Sequence, residues 1–277
     1  AFYRYYLKTY KYIIKLQSKL EGIREGKMIS YKYFSEIKLP FPTLSEQKKI
    51  SSFLSVVDKK IQQLTKKKEL LEEYKKWVMQ QIFTQELRFK DDNGNNYPNW
   101  KKKKLGEVCN IKMGQSPDSK SYNVRGEGVL LIQGNADICN RQSKPRKWTS
   151  SPTKQCEIGD LILTVRAPVG AISKSQHKAC IGRGVCSISN NNDSSIEYLY
   201  QFLLDYEDKW GKLEQGSTFI AVSGKDIREI KLNIPNLEEQ QKIANFLSSL
   251  DSKIDLVSIQ IENTKAFKKG LLQQMFV

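Results

Sequence analysis

The sequence lacks the features of a membrane protein, a disulfide scaffold or a histidine-based metal site. It has no apolar run of about 18 residues or more, the length that a helix needs to span a bilayer. The cysteines number five and include no C-x-x-C pair, so we expect neither a zinc knuckle nor a disulfide framework. The sole histidine, His177, has no second histidine with which to share a metal ion. We therefore expect reduced thiols, a cytoplasmic location, no metal site and no membrane partner.

Recognisable catalytic motifs are also missing. Gly224-Lys225 is followed by Asp226, so the phosphate-binding loop of an ATPase is absent. Gly182-Arg183-Gly184 lacks the third glycine of a dinucleotide-binding loop. The Asn-Pro-Pro-Tyr type of step that marks base-flipping amino-methyltransferases does not occur, and no carboxylate cluster suits a nuclease. The sequence thus indicates a binding protein without chemistry of its own.

Positive charge is abundant, with 46 lysines and arginines against 30 acidic residues and a formal net charge of +16. Between residues 138 and 192 the only acids are Glu157 and Asp160, whereas nine residues are basic. Such a surface suits DNA, because neutralising phosphates releases the counterions that surround a duplex. A separate run of lysines, 101–104, is interpreted either as a solvated face or as a phosphate contact.

The candidate DNA-contacting residues are bases, amides and one tyrosine of the central part of the chain. Amides can pair with adenine edges in the major groove, and arginines can pair with guanine or hold phosphate, but the sequence leaves these roles open. The candidates are Lys112, Gln115, Lys120, Tyr122, Asn123, Gln133, Asn135, Arg141, Lys144, Arg146, Lys147, Arg166, Lys174 and Arg183.

One segment occurs twice. Residues 44–83 align without a gap with residues 237–276, with about 17 identities in 40 positions. Apolar residues recur at alternating steps of three and four in both copies, which predicts two long helices with a heptad seam. Pro42 and Pro235 stand just before the helices, where proline is tolerated.

Neither helix can bury its seam alone, so we expect the copies to pack as an antiparallel or crossing pair. Two unrelated amphipathic core helices are the alternative, but polar identities such as Gln47/Gln240 and Asp58/Asp251 argue against it and suggest a shared docking surface. The predicted seam and partner residues are Ile50, Phe53, Leu54, Val57, Ile61, Leu64, Ile243, Phe246, Leu247, Leu250, Ile254 and Val257.

The repeat extends upstream, where Ile29-Ser30 matches Val222-Ser223. Between the copies, apolar runs at 128–132, 160–165 and 182–188 predict strands, and a helix is expected after Ser194. The predicted fold is α+β, with a mixed-sheet recognition domain and two long helices packed as an antiparallel, coiled-coil-like pair. The predicted segments are 1–38, the end of a first recognition domain that would precede this sequence, 39–97, a helical spacer, 98–235, a complete recognition domain, and 236–277, a second helical region.

The repeated pattern P-x-L-x-E-Q-x-K-I-x-x-F-L-x-x-x-D-x-K-I, at Pro42–Ile61 and Pro235–Ile254, resembles the conserved regions of type I restriction–modification specificity subunits. The segments 114–117, 132–134, 159–170 and 180–184 are similar to the target recognition domain of that family. The resemblance covers essentially the whole chain and is specific when the helices and the G-D-L-I-L-T-V-R-A-P-V-G segment are taken together.

The resemblance implies a specificity subunit that reads one half of a bipartite DNA target. Its helices would dock methyltransferase subunits, and the complex would recruit restriction subunits that translocate DNA. S-adenosylmethionine, ATP and Mg²⁺ would belong to those partners, and no cofactor is expected in this chain. Three alternatives stay open: a half-subunit that homodimerises on a symmetric site, a coiled-coil assembly scaffold, and a DNA enzyme in its own right.

Overall fold

The computed structural model describes residues 1–20, 28–191, 193–214 and 221–276. Its α-helices are α1 (Phe2–Tyr6), α2 (Tyr10–Gln17), α3 (Tyr31–Ser35), α4 (Leu44–Phe83), α5 (Leu105–Val108), α6 (Ile196–Glu214), α7 (Gly224–Arg228) and α8 (Leu237–Met275). Its strands are β1 (Lys101–Lys104), β2 (Cys109–Met113), β3 (Tyr122–Asn123), β4 (Val129–Ile132), β5 (Ile138–Cys139), β6 (Gln142–Ser143), β7 (Lys147–Thr149), β8 (Gln155–Cys156), β9 (Leu161–Thr164), β10 (Ile172–Lys174), β11 (Ala179–Ile181), β12 (Val185–Asn190) and β13 (Lys231–Ile234).

The chain divides into two compact units. The first contains Ala1–Glu73 and Asp251–Val277, and the second contains Tyr74–Leu250. Each of the two long helices, α4 and α8, contributes one part to each unit. The division between the units therefore falls inside the two helices. The predicted boundaries after residues 38, 97 and 235, which separate recognition domains from helical regions, stay predictions.

In the first unit the two long helices run in opposite directions. Leu64 of α4 clusters with Val257 and Ile261 of α8. Leu54, earlier in α4, lies in the cluster that contains Phe276, just after α8 ends. Moving back along α4 therefore corresponds to moving forward along α8, and the predicted antiparallel pair is confirmed in this unit. Aromatic residues of α1 and α2 cover this end of the pair, and they are Phe2, Tyr5, Tyr6 and Tyr12.

Most of the predicted seam is buried, with one correction. The fully or nearly buried members are Ile50, Leu54, Val57, Leu64, Ile243, Leu247, Leu250 and Val257. Ile61 and Ile254 are half-buried. Phe53 is 45% exposed and is not a seam residue, because the position before Leu54 lies about 100° around the helix. Its counterpart Phe246 packs edge-on against Phe89, with 5.6 Å between ring centroids.

The second unit is built on three sheets. A six-stranded mixed sheet has the order β2-β12-β9-β10-β6-β5, and a five-stranded mixed sheet has the order β3-β7-β4-β11-β8. Strands β1 and β13 form a separate antiparallel pair. The predicted α+β class with mixed sheets and long helices is therefore confirmed.

Helix α6 and the end of α4 share the core of this unit with the six-stranded sheet. Apolar side chains recur every three or four residues along α6 and form a buried stripe, as the sequence predicts. The buried members of this core include Val78, Ile82, Leu161, Leu163, Ile172, Ile188, Tyr198, Leu199, Phe202, Leu203 and Trp210. The predicted strand 182–188 is wrong at its start, because residues 182–184 form a turn between β11 and β12.

The repeat has a structural counterpart in the way each copy begins. Ser30 caps α3 and Ser223 caps α7, each by accepting a hydrogen bond from a backbone N–H of its helix. Before the long helices, Gln47 donates to the Pro42 carbonyl and Gln240 to the Pro235 carbonyl, both at 2.9 Å. The identical glutamines therefore fix the turn that enters each long helix.

The linker between α4 and β1 is joined at both of its ends to the start of α8 by a buried carboxylate. Glu239, which is fully buried, accepts hydrogen bonds from Arg88 at 2.7 Å and from the Trp100 indole at 2.9 Å. Arg88 also donates to the carbonyl of Pro98 at 2.8 Å. Lys242 adds contacts to the Lys90 carbonyl and to the carboxylate of Asp92. The polar linker is thereby fixed to the first turns of α8.

We predict that Glu239→Gln destabilises the protein by about 3 kcal/mol, because Arg88 would then lie partly buried without its counter-charge. Thermal unfolding measured by calorimetry should show a lower melting temperature. The repeat supplies a matched control, since the equivalent Glu46 is exposed, and Glu46→Gln should change stability by about 0.5 kcal/mol or less. Equal effects of the two substitutions would contradict the assignment.

Candidate nucleic-acid interface

A polar groove of about 590 Å³ lies in the second unit, between the two large sheets. Four of the predicted DNA-contacting residues meet there. Two cationic side chains and no acidic one line it. The lining residues are Ser116, Pro117, Ser119, Tyr122, Gln133, Arg166, Arg183 and Gly184.

Close backbone packing forms one wall of the groove. A Cβ on Gly184 would stand 2.1 Å from the carbonyl oxygen of Gln133, and a Cβ on Gly114 would stand 2.1 Å from that of Gly182. Only glycine allows these approaches. Arg183, between two of these glycines, donates its backbone N–H to the Ser116 hydroxyl at 3.2 Å. The side chain of Arg183 is thus presented from a turn whose backbone is fixed on both sides.

Gln133 is held by a buried carboxylate. Asp137, which is 6% exposed, accepts the backbone N–H of Gln133 at 2.9 Å and the Nε–H of Arg146 at 3.2 Å. These bonds order the loop after β4 and leave the Gln133 side-chain amide with no hydrogen-bond partner among the described residues. An amide in that state is available to a base edge.

Arg166 enters the groove from the end of β9. Its backbone forms a bridge with Ala221, and the next residue, Ala167, precedes Pro168. Neither Arg166 nor Arg183 forms an ion pair within the described ranges. Two unpaired guanidinium groups beside a free amide provide the donors that read guanine and adenine edges or hold phosphate. Tyr122 adds an aromatic ring, and its hydroxyl donates to the Pro117 carbonyl at 3.2 Å.

Other predicted residues lie on segments that border the groove. Gln115 stands between Gly114 and Ser116, and Lys120 belongs to the 3-10 turn Ser119–Ser121. Asn135 begins the 3-10 turn Asn135–Asp137, two residues after Gln133. Their side chains are exposed, as are those of three further basic residues: Lys144, Arg146 and Lys147.

Several predicted residues have intramolecular partners, and four of them are left out of the proposed site. Arg141 pairs with Glu207, and Lys174 pairs with Glu197, so both cations are used to hold the sheet to α6. Asn123 accepts from the backbone of Glu127 at 3.0 Å and donates to its carbonyl at 2.8 Å, which closes a turn. Lys112 donates to the Gln155 carbonyl at 2.7 Å.

Sequence reasoning missed the two serines, the proline and the glycine of the groove. Ser116, Pro117 and Gly184 belong to the segments that resemble a target recognition domain. The sequence therefore marks these segments, but it does not indicate a DNA-contacting role for the three residues. Ser119 has no comparable signal. The groove also shows a structural role for the glycines of Gly182-Arg183-Gly184, which admit close backbone contacts.

The structure gives no sign of a metal or membrane site in the part of the chain that it describes. No group of three or more metal-ligating side chains occurs among those residues. None of the described helices is sufficiently long and apolar to cross a bilayer. Burial raises the pKa of the Cys109 and Cys186 thiols to about 12, so neither is a nucleophile at neutral pH.

Three of the polar residues that are identical or paired in the two copies, Gln47, Gln240 and Asp58, have partners within the chain. Gln47 and Gln240 are bound to their own preceding turns. Asp58 lies between the helices of the first unit, where it pairs with Lys268 at 2.5 Å and accepts the Tyr5 hydroxyl at 3.0 Å. Exposed apolar side chains are the better candidates for partner contact. On α4 these include Tyr74 and Trp77, 45% and 54% exposed, and on α8 Phe267, 56% exposed.

Comparison with known proteins identifies the family. A family model described as "Type I restriction modification DNA specificity domain" matches residues 1–73 and 97–264. These ranges take in most of the sequence, so the chain belongs to the family of type I restriction–modification DNA specificity domains.

Curated relatives are named specificity subunits. The putative type I restriction enzyme MjaX specificity subunit of Methanocaldococcus jannaschii is 34% identical over 271 residues, which are 95% of this chain and 62% of that protein. The MjaVIII specificity subunit of the same organism is 26% identical over 288 residues, 97% of this chain and 67% of that protein. This chain therefore spans less than two thirds of the first of these relatives.

Solved structures of similar proteins share the fold. One, reported as the structural basis of complex assembly and conformational transition of the type I R-M system, has a TM-score of 0.68 and 25% identity. The aligned region covers 99% of this chain and 70% of the chain of that structure. The HsdS subunit from Thermoanaerobacter tengcongensis has a TM-score of 0.60 and 26% identity, covering 99% of this chain and 69% of the other.

We predict that the stabilisation supplied by Asp58 is lost in acid. Burial alone would raise its pKa, but the hydrogen bonds from Lys268 and Tyr5 outweigh burial and hold the pKa below the ordinary 3.8. A carboxyl whose pKa is lower in the folded than in the unfolded state stabilises the fold at pH values above its unfolded-state pKa. This stabilisation is lost as pH falls through its folded-state pKa. Asp58→Asn should therefore cost about 1–2 kcal/mol at pH 7, and this cost should shrink as pH falls through the folded-state pKa of Asp58.

Urea unfolding at several pH values measures the difference between wild type and variant. Asp255→Asn is the control, because Asp255 is an exposed carboxylate of α8 in the same unit and should show no such trend. A wild-type advantage over Asp58→Asn that stays constant down to pH 2 would contradict the proposed network.

Proposed function

We propose that this chain is the DNA-reading and assembly subunit of a type I restriction–modification complex. In this proposal the second unit reads one half of a bipartite target on double-stranded DNA. Methyltransferase subunits dock on the long helices, and restriction subunits that translocate DNA join the complex. The subunit has no chemistry of its own and works in the cytoplasm. S-adenosylmethionine, ATP and Mg²⁺ are bound by the partners.

The groove is the observation that carries this proposal. It unites an aromatic ring with two arginines and an amide that have no side-chain partner among the described residues, on backbone that glycine contacts and Asp137 hold in place. Such donors discriminate base pairs when they are held rigidly, because a wrong base leaves one of them without a partner. In the whole chain lysine and arginine outnumber the acidic residues, and this positive charge attracts the phosphates of a duplex to the protein.

We predict that Arg183→Ala and Gln133→Ala each weaken the preference for the target over random duplex by about 10- to 100-fold, with unchanged melting temperature. The target is obtained by mapping methylated adenines in DNA from cells that carry the intact system. Binding is then measured by fluorescence anisotropy on target and random duplexes, with the methyltransferase present. Arg125→Ala is the control, because Arg125 is exposed on a turn and pairs with Glu127 outside the groove lining.

The outcomes separate the alternatives. A wild-type protein that binds all duplexes equally at every salt concentration, with and without methyltransferase, would rule out a specificity subunit. Selective binding that Arg183→Ala and Gln133→Ala leave unchanged would rule out this groove as the reading site. Methyl transfer or cleavage by the purified chain alone would revive the enzyme hypothesis.

We further propose that exposed aromatic residues of the long helices anchor the methyltransferase. Tyr74 and Trp77 lie 6.1 Å apart between ring centroids on α4, and the repeat places Phe267 at the position equivalent to Tyr74. Aromatic residues dominate the energetics of protein interfaces, and an exposed pair on one helix face is rare without a partner.

Accordingly, Tyr74→Ala/Trp77→Ala should weaken methyltransferase binding by at least about 30-fold without lowering the melting temperature. Biolayer interferometry with immobilised methyltransferase measures the affinity. Tyr10→Ala, which removes an aromatic ring that is 70% exposed on α2, should have no effect. Normal docking by the double variant would refute the anchor. Sizing by light scattering addresses the homodimer alternative, since a monomer would exclude it.

A further inference from the structure

A cluster of lysines covers the outer face of the two-stranded sheet. The register sets Lys104 opposite Lys231 and Lys102 opposite Asn233, whereas the partners of Lys101 and Lys103 are Ile234 and Leu232. Ile234 and Leu232 are 5% and 4% exposed. Residues directly opposite each other share a face of a sheet, and successive residues alternate. Lys102, Lys104 and Lys231 therefore lie together on the solvent face, and we call them the lysine ridge.

The three lysines of the ridge carry more charge than the two acids beside them, Glu107 and Glu229, can neutralise. Like charges directly opposite each other on neighbouring strands are destabilising, and Lys104 and Lys231 are such a pair. Lys104 has a counter-charge, Glu229, at 2.7 Å. Lys102 and Lys231 form no ion pair with any residue that the structure describes. An anion from outside the chain would relieve this repulsion.

The ridge borders an open cavity and is connected to the groove through helix α5 and strand β2. The cavity measures about 500 Å³, and its lining is Lys102, Lys103, Lys104, Glu107, Lys231, Leu232 and Asn233. From Lys104 the chain continues through α5 into β2, whose last residue precedes Gly114 at the groove. The four residues of α5, at about 1.5 Å each, and the five of β2, at about 3.3 Å each, give a path of roughly 23 Å between the two sites.

We propose that the lysine ridge binds backbone phosphates of the duplex outside the bases that the groove reads. This inference rests on the proposed function. A duplex presents one negative charge per about 1.7 Å of its axis, so a duplex bound in the groove has phosphates at a distance of about 23 Å or less from the groove, which is the range in which the ridge lies. The ridge has three cations and few groups able to distinguish bases. It therefore holds and positions the DNA without adding sequence information.

The test is the salt dependence of DNA binding by Lys102→Gln/Lys231→Gln. The complex with methyltransferase is titrated with target and random duplexes at several KCl concentrations. Each phosphate contact contributes about 0.9 to the slope of log affinity against log salt, so the double variant should lose about 1.8 of that slope. Affinity should fall by the same factor on both duplexes, and the preference for the target should stay unchanged. Lys178→Gln/Lys209→Gln removes the same charge elsewhere in the second unit and should leave the slope unaltered.

Three results would overturn the inference. The first is a wild-type slope in the double variant, with normal target preference. The second is weaker methyltransferase binding with an unchanged DNA slope, which would assign the ridge to an acidic protein surface. The third is a loss of target preference with no change of slope, which would make the ridge a base reader. Wild-type protein without any target preference would instead refute the proposed function, and the ridge with it.

Discussion

The second unit depends on the burial of one carboxylate. Glu239 accepts hydrogen bonds from Arg88, which follows α4, and from Trp100, which precedes β1, while standing in the first turn of α8. A buried carboxylate without these donors would cost several kcal/mol, so the contact favours the arrangement in which all three segments are in place. The start of α8 and both sides of the linker accordingly lie in one compact unit.

The two copies of the repeat show that an identical residue does not imply an identical role. Gln47 and Gln240 make the same bond to the proline carbonyl before their helices, because that bond depends only on local chain geometry. Glu46 and Glu239 are equally well matched, yet one is exposed and the other fully buried. The difference comes from what packs on each copy: Arg88 and Trp100 cover the second, and no described residue covers Glu46. Local interactions repeat with the sequence, and tertiary ones do not.

The same distinction explains how much of the structure could be predicted. The long helices and their antiparallel seam follow from heptad spacing, a local property of the sequence, and only Phe53 was misplaced. The groove was partly predictable, since Tyr122, Gln133, Arg166 and Arg183 were candidates from charge and residue type. Arg141 and Lys174 look the same in sequence, but acids of α6 neutralise them, and no pattern in a single sequence reveals such distant pairing. The sequence also predicts a strand where Gly182–Gly184 form a turn. The tight contact of this turn with Gln133 joins residues that are distant in the sequence, so local spacing does not reveal it.

Base reading and DNA holding place opposite demands on a protein surface. Reading requires rigid donors that lose a partner when the base is wrong, and the groove meets this demand with glycine contacts and with Asp137 behind Gln133. Holding requires charge that tolerates any sequence, and flexible lysines on a simple two-stranded sheet suffice for it. If the groove reads bases and the lysine ridge holds phosphates, as we propose, a change of target needs new side chains only in the groove. A fold that separates these tasks can acquire a new specificity without losing its affinity for DNA.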